Sequence, residues 1–398
     1  MNLLYSIFGS LVVAAVLAVI GYMYRAGTLD SFWDWIVTWI RLSSQSFSKT
    51  SHTDSAKVRA ILLTRLRRDQ CRSGVHYGQF GRGVTQGEEK KYQTGAENLS
   101  VKPRMYLTVW PSVVLAKHNL APRMLVIARK GVEQLYHNNR IHVYQSATRH
   151  TPPHSQPHII SYRHTICGAL ILYHLKGSKS IVRNVIDAMI DERNHWQKTD
   201  GGWAQCDREH TASDLWGSAY ALRLLSQVVA DPATFSEHER NSFSQAIART
   251  LHYFTTCWEK KKWSYGGSTS PENSVLLLIE IAPILGEVDP AFLNSVLRSV
   301  REWLSLSGNL SESYRDACKE VSHAALNARM SYALCRSSQP VESWHSLYLQ
   351  ATENLDQNLN SADMSFLIEL SYRADSAVSG RASSLTGWSR TKVSLQSL

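Results

Sequence analysis

The chain has few cysteines, and none of them is arranged in a pair. Its six cysteines are scattered over 398 residues without a CxxC spacing, which excludes a disulfide framework and suits a reducing compartment. A P-loop, a dinucleotide-binding fingerprint and a nucleophile elbow are also absent from the sequence. No run of alternating apolar residues predicts a β-sheet. The composition, 43% hydrophobic and 19% charged, is that of a folded chain.

Positive charge is abundant and unevenly distributed. The net charge is +10, and residues 54–149 alone hold 17 Lys or Arg against 6 Asp or Glu. This surplus predicts a basic surface that faces anionic lipid headgroups or an anionic ligand. A nucleic acid partner is not expected, because the sequence has no nucleic-acid recognition motif. A protein partner is left open.

The first 24 residues carry no charged side chain. At about 1.5 Å per helical residue, the apolar stretch 3–24 is long enough to cross a bilayer. A cleaved signal peptide usually begins with a basic segment, and no such segment precedes this stretch. Residues 1–25 are therefore predicted to be a transmembrane anchor. Arg25 and Arg41 follow the span. The positive-inside rule then predicts a single-pass protein of the inner or plasma membrane whose large C-terminal part is cytoplasmic.

Residues 26–48 are predicted to form an amphipathic helix and a linker. Five large apolar side chains fall on one helical stripe, namely Phe32, Trp33, Ile36, Trp39 and Ile40. A stripe rich in tryptophan beside a membrane span is typical of a helix that lies in the membrane interface. The alternative is a helix that packs against the folded domain.

The pattern over residues 49–374 is helical and alternates between two kinds of segment. Amphipathic segments, typical of solvent-facing helices, lie at 54–68, 122–138, 180–194, 239–258, 290–305 and 341–355. Uniformly apolar segments, typical of buried helices, follow them at 107–118, 163–175, 213–225, 271–285, 321–334 and 361–370. Six outer and six inner helices in alternation predict an all-α fold, an (α/α)6 toroid of helix pairs.

Three segments interrupt or follow this helical pattern. Residues 70–106 form a Gly-rich basic insert, and residues 139–160 form an insert rich in His and Pro. Long inserts of this kind are either lids over a site or disordered, and both alternatives stay open. The Ser-rich tail, residues 375–398, is predicted to be disordered.

The stretch QKTDGGW stands between an outer and an inner segment. It resembles the QW repeat of squalene–hopene cyclases, in the terpenoid cyclase and protein prenyltransferase superfamily. The TASDLWGSAYALRLL that follows resembles the inner helix after that repeat. A weaker second copy contains Trp263, Gly266 and Gly267, so the likeness covers about 90 residues. The resemblance implies that the glutamine closes a helix end, the tryptophan stacks over it and the glycines permit a tight turn. These structural residues are Gln197, Asp200, Gly201, Gly202 and Trp203.

The catalytic motifs of that superfamily are missing from the sequence. No DxDD motif is present to protonate an alkene or epoxide, and no DDxxD motif is present to hold magnesium on a diphosphate. Protein prenyltransferases bind zinc, and HTICGALIL resembles their histidine-bearing helix at His164, but no Asp-x-Cys pair precedes it. We therefore expect no cofactor. Zinc is the alternative. Its candidate ligands are His164, Cys206, His210 and Asp214, and Cys167 and Asp207 could supply substitutes on neighbouring elements.

In such a toroid the inner helices begin around one mouth of a central cavity. Helix N-termini carry unpaired N–H groups and partial positive charge, which favour a phosphate or a carboxylate. Asp214 and Glu272 begin adjacent inner segments and are the pair that a glycosidase would need, although Glu272 beside Pro271 also fits an ordinary helix start. The predicted cavity lining is Trp110, His164, Thr165, Cys167, Ser213, Asp214, Trp216, Glu272, Asn273, Ser322, His323 and Asp363.

Three kinds of function are compatible with this sequence. The leading hypothesis is a membrane-anchored, cytoplasm-facing binding or effector module whose cavity accepts an anionic or lipid-like ligand of the isoprenoid type. The second is an enzyme of the terpenoid cyclase, prenyltransferase or (α/α)6 glycosidase type with a non-standard set of acids. The third is a scaffold that presents a surface to a protein partner. An open cavity with convergent polar groups would favour the first two hypotheses, and a filled centre would favour the third.

Overall fold

A computed structural model describes residues 52–71, 77–83, 101–103, 105–144, 158–207, 212–231, 233–263, 271–306, 322–353, 355 and 359–378. These residues are mostly helical, which confirms the predicted all-α class. Their helices are α1 (His52–Asp69), α2 (Met105–Lys117), α3 (Pro122–Leu135), α4 (Tyr162–His174), α5 (Lys179–Ile190), α6 (Leu215–Val229), α7 (Glu237–Glu259), α8 (Pro271–Val288), α9 (Pro290–Leu306), α10 (His323–Arg336), α11 (Val341–Glu353) and α12 (Ser361–Val378). Their strands are β1 (Gly81–Gly83), β2 (Val101–Pro103), β3 (Tyr136–His137), β4 (Arg140–Tyr144), β5 (His158–Ile160), β6 (Trp203–Ala204) and β7 (Ser213–Asp214).

Six helices contact one another in a closed succession. Helix α2 packs against α4, α4 against α6, α6 against α8, α8 against α10, and α10 against α12, which packs back against α2. Each of these six, which we call the inner helices, also contacts a neighbour outside the succession. The outer helix α1 packs on α12, α3 on α2 and α4, α5 on α4, α7 on α6, α9 on α8, and α11 on α10.

The two groups of helices differ in burial because their sequences differ in pattern. The inner helix α12 is mostly apolar or small, and every residue from Ser361 to Leu370 is buried, including the charged Asp363 and Glu369. The outer helix α3 instead buries Met124, Ala128 and Val132, which are spaced by four residues and therefore share one face. The alternation of pattern along the chain thus becomes an alternation of buried and half-exposed helices.

Polar residues mark where several inner helices begin. The Ser161 hydroxyl accepts a hydrogen bond from the His164 backbone N–H at the start of α4. The Asp214 carboxylate caps α6 by accepting from the Gly217 N–H at 2.8 Å. Side chains of this kind satisfy backbone donors that the helix itself leaves unpaired.

Within the described residues, three small antiparallel sheets connect the helices, and the sequence-based expectation of no sheet was wrong on this point. Strand β1 pairs with β2, β4 pairs with both β3 and β5, and β6 pairs with β7. Each strand has five residues or fewer, so an alternating pattern had no length over which to appear. Strands β1 and β2 belong to the insert 70–106, and β4 and β5 to the insert 139–160. Most of the remainder of both inserts lies outside the described residues.

The QKTDGGW motif ties the turn before α6 to the outer helix α7. The Gln197 amide nitrogen donates to the carbonyl oxygens of Gly201 and Ala246, both at 3.0 Å, and lies 3.1 Å from the Thr250 hydroxyl oxygen. The indole N–H of Trp203, which is fully buried, donates to the same Thr250 hydroxyl at 2.9 Å. Two side chains of the motif therefore converge on one residue of α7.

The remaining motif residues shape the turn itself. The Asp200 carboxylate accepts hydrogen bonds from the Gly202 N–H at 3.0 Å and from the Ser213 hydroxyl at 2.6 Å. Gly201 has a φ of 87°, and a Cβ at this position would lie 2.2 Å from the Arg249 carbonyl oxygen. Only glycine accepts both the left-handed conformation and this close approach. In the second copy Trp263 is also fully buried, whereas Gly266 and Gly267 lie outside the described residues.

The predicted membrane location requires a correction. Among the residues that the structure describes, no helix combines the length and the apolar character needed to cross a membrane, and this contradicts a single-pass membrane protein. Helix α8, for example, has 18 residues but carries the carboxylate of Glu280 near its middle. The segments 1–25 and 26–48, predicted as anchor and interfacial helix, lie outside the described residues, as does the tail beyond residue 378.

Candidate ligand-binding cavity

A cavity of about 300 Å³ lies among the N-terminal parts of five inner helices, α2, α4, α6, α8 and α12. Its volume is at the lower end of the roughly 300–1,000 Å³ that is usual for ligand pockets. The side chains that line it are Met105, Tyr106, Leu107, Trp110, Arg163, His164, Cys167, Trp216, Tyr220, Leu276, Glu280, Asn360, Ala362 and Phe366.

The walls of the cavity are mainly apolar and aromatic. Trp110, Tyr220 and Phe366 are buried lining residues, Trp216 is half-buried, and Tyr106 is exposed. The rings of Trp216 and Tyr220 lie 6.3 Å apart between their centres. Walls of this kind favour a ligand whose body is apolar.

A cluster of buried charges lies at one end of the lining. The Glu280 carboxylate accepts a hydrogen bond from the Trp110 indole N–H and another from the Arg223 guanidinium, each at 2.7 Å. The Arg223 guanidinium is 4.1 Å from the centre of the Trp110 ring, and that of Arg336 is 5.2 Å from it. Arg336 also donates from Nε to the Ile279 carbonyl at 2.9 Å. We call Trp110, Arg223, Glu280 and Arg336 the floor cluster.

The space beside the floor cluster is filled by aromatic side chains. Tyr332 of α10 stacks on Phe366 with ring centres 4.7 Å apart, and both rings meet Trp110 edge-on at 5.3 Å. Aromatic packing at these distances leaves no room for a ligand between the three rings. The central space is therefore open among the helix N-termini and closed by side chains farther along.

A second group of charges lies between the C-terminal end of α2 and the middle of α12. Glu369 is buried and accepts hydrogen bonds from three basic side chains, those of Lys117, His118 and Arg373. Burial by itself would raise the pKa of Glu369, but these partners outweigh burial and lower that pKa. The Glu369 carboxylate is thus held ionised between α2 and α12, and it does not line the cavity.

A second polar part of the lining is the first turn of α4, which we call the mouth. The Arg163 guanidinium lies 3.6 Å from the Asp214 carboxylate, and both side chains are largely buried. Burial raises the pKa of Asp214, and the charge of Arg163 offsets part of that rise. The His164 ring is held by a 2.6 Å contact between its Nδ1 and the Ser161 hydroxyl oxygen. A guanidinium therefore stands beside the N-termini of α4 and α6.

The structure brings four of the predicted lining residues to the cavity, namely Trp110, His164, Cys167 and Trp216. Asp214 does not line it but pairs with the lining residue Arg163. The side chains of Glu272 and Asn273 lie outside the described residues. Of the two carboxylates that a glycosidase needs, the described lining therefore contains one, that of Glu280.

The other predicted lining residues have different positions. Thr165 is buried and accepts from the Ile141 N–H at 2.9 Å, so its hydroxyl is used to hold β4 against α4. Ser213 donates to Asp200 in the turn before α6. Asp363 is buried in a two-bond ion pair with Arg329, at 2.6 and 3.0 Å. Ser322 caps α10, and His323, the first residue of that helix, is exposed.

Sequence reasoning missed the most important polar residues of the lining, Arg163 and Glu280. Glu280 carried a readable signal, because it is an isolated carboxylate within the apolar run SVLLLIEIAPIL. Arg223 stands in the same way within YALRLL. An ionisable residue inside a uniformly apolar helix must be paired or must face a cavity, and here Glu280 does both.

The zinc alternative finds no site among the described side chains. Cys167 is fully enclosed, and burial raises the pKa of its thiol far above the usual value, which disfavours the thiolate that binds zinc. No group of three His, Cys, Asp or Glu side chains with metal-binding geometry occurs in the part of the chain that the structure describes. Of the predicted ligands, His210 lies outside that part, so the zinc site stays a prediction.

Comparison with known proteins does not identify a family for the chain or a role for the cavity. No protein-family model matches the chain, and no curated protein matches it. The chemistry of the cavity is therefore deduced from its own side chains.

The position of Asp214 leads to a stability prediction. Asp214→Ala should lower the free energy of unfolding by about 1 kcal/mol, because the Gly217 N–H loses its capping acceptor. Asp214→Asn should lose less than half as much, since an asparagine side chain still accepts that bond. Urea denaturation of both variants measures this difference. Equal losses for alanine and asparagine would show that the pairing with Arg163, not the cap, is what stabilises the fold.

Proposed function

We propose that the chain is an (α/α)6 toroid, related in architecture to the terpenoid cyclase and protein prenyltransferase superfamily. Its function would be that of a binding or effector module for a small ligand with an apolar body and an anionic end. The closed succession of six inner helices with six outer partners supports the toroid. The bonds of the QKTDGGW motif to α7 support the relationship, because they tie an outer helix to the turn that precedes an inner one.

The observation that carries the proposed function is the distribution of polar groups in the cavity. Apolar and aromatic side chains form most of its lining, whereas charge is confined to Arg163 at the mouth and Glu280 at the floor cluster. A few placed polar groups in an apolar pocket are typical of a binding site for a small molecule. A scaffold with a filled centre would not require two charged side chains in the lining of an otherwise apolar cavity.

Arg163 supplies the preference for an anion. Its guanidinium lies in the first turn of α4, and α6 begins beside it at Asp214. Helix N-termini and a guanidinium both favour negative charge, and the guanidinium matches the geometry of a carboxylate or phosphate. The anionic end of the ligand would therefore sit at the mouth and compete with Asp214 for Arg163.

The proposed function predicts that filling the cavity abolishes binding. Geranyl phosphate and decanoate are suitable probes, because each joins an apolar chain to one anionic end. We expect one-to-one binding to the wild-type protein by isothermal titration calorimetry. Leu276→Trp, in the cavity lining, should weaken binding at least about tenfold, which corresponds to about 1.4 kcal/mol.

A matched control separates loss of space from loss of fold. Leu349→Trp makes the same change on the outer helix α11 at an exposed side chain, and it should leave binding unchanged. Circular dichroism and a melting curve establish that both variants are folded. Unaltered affinity in a folded Leu276→Trp protein would contradict the proposed site.

Arg163→Met should weaken the binding of decanoate more than the binding of decan-1-ol, since only decanoate carries the anion.

A further inference from the structure

Glu280 distinguishes this cavity from a simple pocket for an amphipathic anion. We propose that the ligand also carries a neutral hydrogen-bond donor, such as a hydroxyl, at the end opposite its anion, and that Glu280 recognises this donor. The inference rests on the proposed function, because it concerns the same cavity. It adds the chemical class of the ligand, which would be an apolar chain with an anion at one end and a hydroxyl at the other.

The hydrogen bonding of Glu280 leaves acceptor capacity on the cavity side. A carboxylate has about four lone-pair positions, and Glu280 accepts one bond on each oxygen from the described residues, from Trp110 and from Arg223. Its side chain is only 3% exposed, yet it lines the cavity. A buried acceptor that meets an apolar ligand loses the water it would otherwise bind. A ligand with a donor at this point avoids that penalty.

The charge of Glu280 determines which end of the ligand it contacts. Among the floor cluster, only Glu280 and Trp110 belong to the lining, while Arg223 and Arg336 lie outside it. An anionic group placed against Glu280 would therefore meet a carboxylate at close range in an interior of low dielectric constant. The anion is directed to Arg163 and the donor to Glu280.

The surroundings of Glu280 favour a neutral donor over a cation. Two guanidiniums, those of Arg223 and Arg336, already accompany this one carboxylate around the Trp110 ring. Burial, followed by these same two charges, lowers the pKa of the nearby His174 to about 3. Burial and the charge of Arg223 also lower the pKa of Arg336. A further cation would be repelled in this environment, whereas a hydroxyl would not.

The experiment compares three probes of equal chain length by isothermal titration calorimetry. Decanoate has no terminal donor, 10-hydroxydecanoate has a neutral donor and 10-aminodecanoate has a cationic one. We expect the wild-type protein to bind 10-hydroxydecanoate about tenfold more tightly than decanoate, as a hydrogen bond to a charged acceptor allows. We expect 10-aminodecanoate to bind more weakly than 10-hydroxydecanoate.

A pair of double variants links the preference to Glu280. Arg223→Met combined with Glu280→Gln removes both charges and leaves a weaker, neutral acceptor, so the preference for the hydroxyl should fall to about threefold or less. Lys117→Met combined with Glu369→Gln makes the same kind of change at an ion pair that does not line the cavity. This control should retain the tenfold preference. The wild-type comparison of probes does not depend on either variant folding.

The outcomes of this experiment separate the two proposals. Equal or tighter binding of decanoate by the wild-type protein would overturn the role of Glu280 while the proposed function stands. Tighter binding of 10-aminodecanoate than of 10-hydroxydecanoate would overturn the neutral donor. Binding of none of the three probes would contradict the anionic chain ligand, and with it the proposed function itself.

Discussion

Trp203→Ala should lower the free energy of unfolding by roughly 3–5 kcal/mol, the usual loss when a buried tryptophan is truncated. Trp203 is fully buried, and its indole N–H donates to Thr250 of α7. The same Thr250 hydroxyl lies 3.1 Å from the Gln197 amide. Truncation therefore leaves a cavity between an outer helix and the turn before α6, and it also removes one of the bonds that meet at Thr250.

Chemical denaturation of the purified protein measures this loss. Trp203→Phe serves as the comparison, because phenylalanine keeps a buried aromatic ring and loses the bond to Thr250 and one of the two fused rings. Its expected loss from the missing bond is about 1 kcal/mol. If the alanine variant unfolds at the wild-type denaturant concentration, the motif does not hold the helices together and its resemblance to a QW repeat loses its structural meaning.

Arg223→Met should lower the free energy of unfolding by roughly 3–5 kcal/mol, because it leaves the Glu280 carboxylate buried without its main partner. The Arg223 and Glu280 side chains are 2% and 3% exposed, so bulk water screens the remaining charge of Glu280 only weakly. Arg336 lies near the same tryptophan ring, but its Nε is bonded to the Ile279 carbonyl. The destabilisation comes from an uncompensated charge and not from lost volume.

The second substitution tests that cause. Adding Glu280→Gln to Arg223→Met removes the stranded charge, while the amide oxygen can still accept from the Trp110 indole N–H. The double variant should recover more than half of the lost free energy, as replacement of a whole buried ion pair is far less costly than removal of one partner. A double variant that is less stable than Arg223→Met would show that packing around Trp110, and not charge, is decisive.

The sequence predicted the helices well because burial leaves a periodic pattern in it. The apolar segment 163–175 became α4 (Tyr162–His174), and the amphipathic segment 290–305 became α9 (Pro290–Leu306). A helix that packs against neighbours on every side is apolar or small at most of its positions, so the distinction between inner and outer helices needs no knowledge of the neighbours. The short strands left no such pattern, since strands of two to five residues have too few positions to show a period of two.

The sequence by itself determined the all-α class, the alternation of helix types and the turn at Gly201, because each follows from local pattern or local backbone conformation. Only the tertiary structure decided the cavity. Glu280 meets Trp110 from 170 residues away and Arg223 from 57 residues away, and no local pattern encodes such a meeting. Isolated charges in apolar helices indicate that partners exist. Which partners they find depends on how the inner helices close on one another.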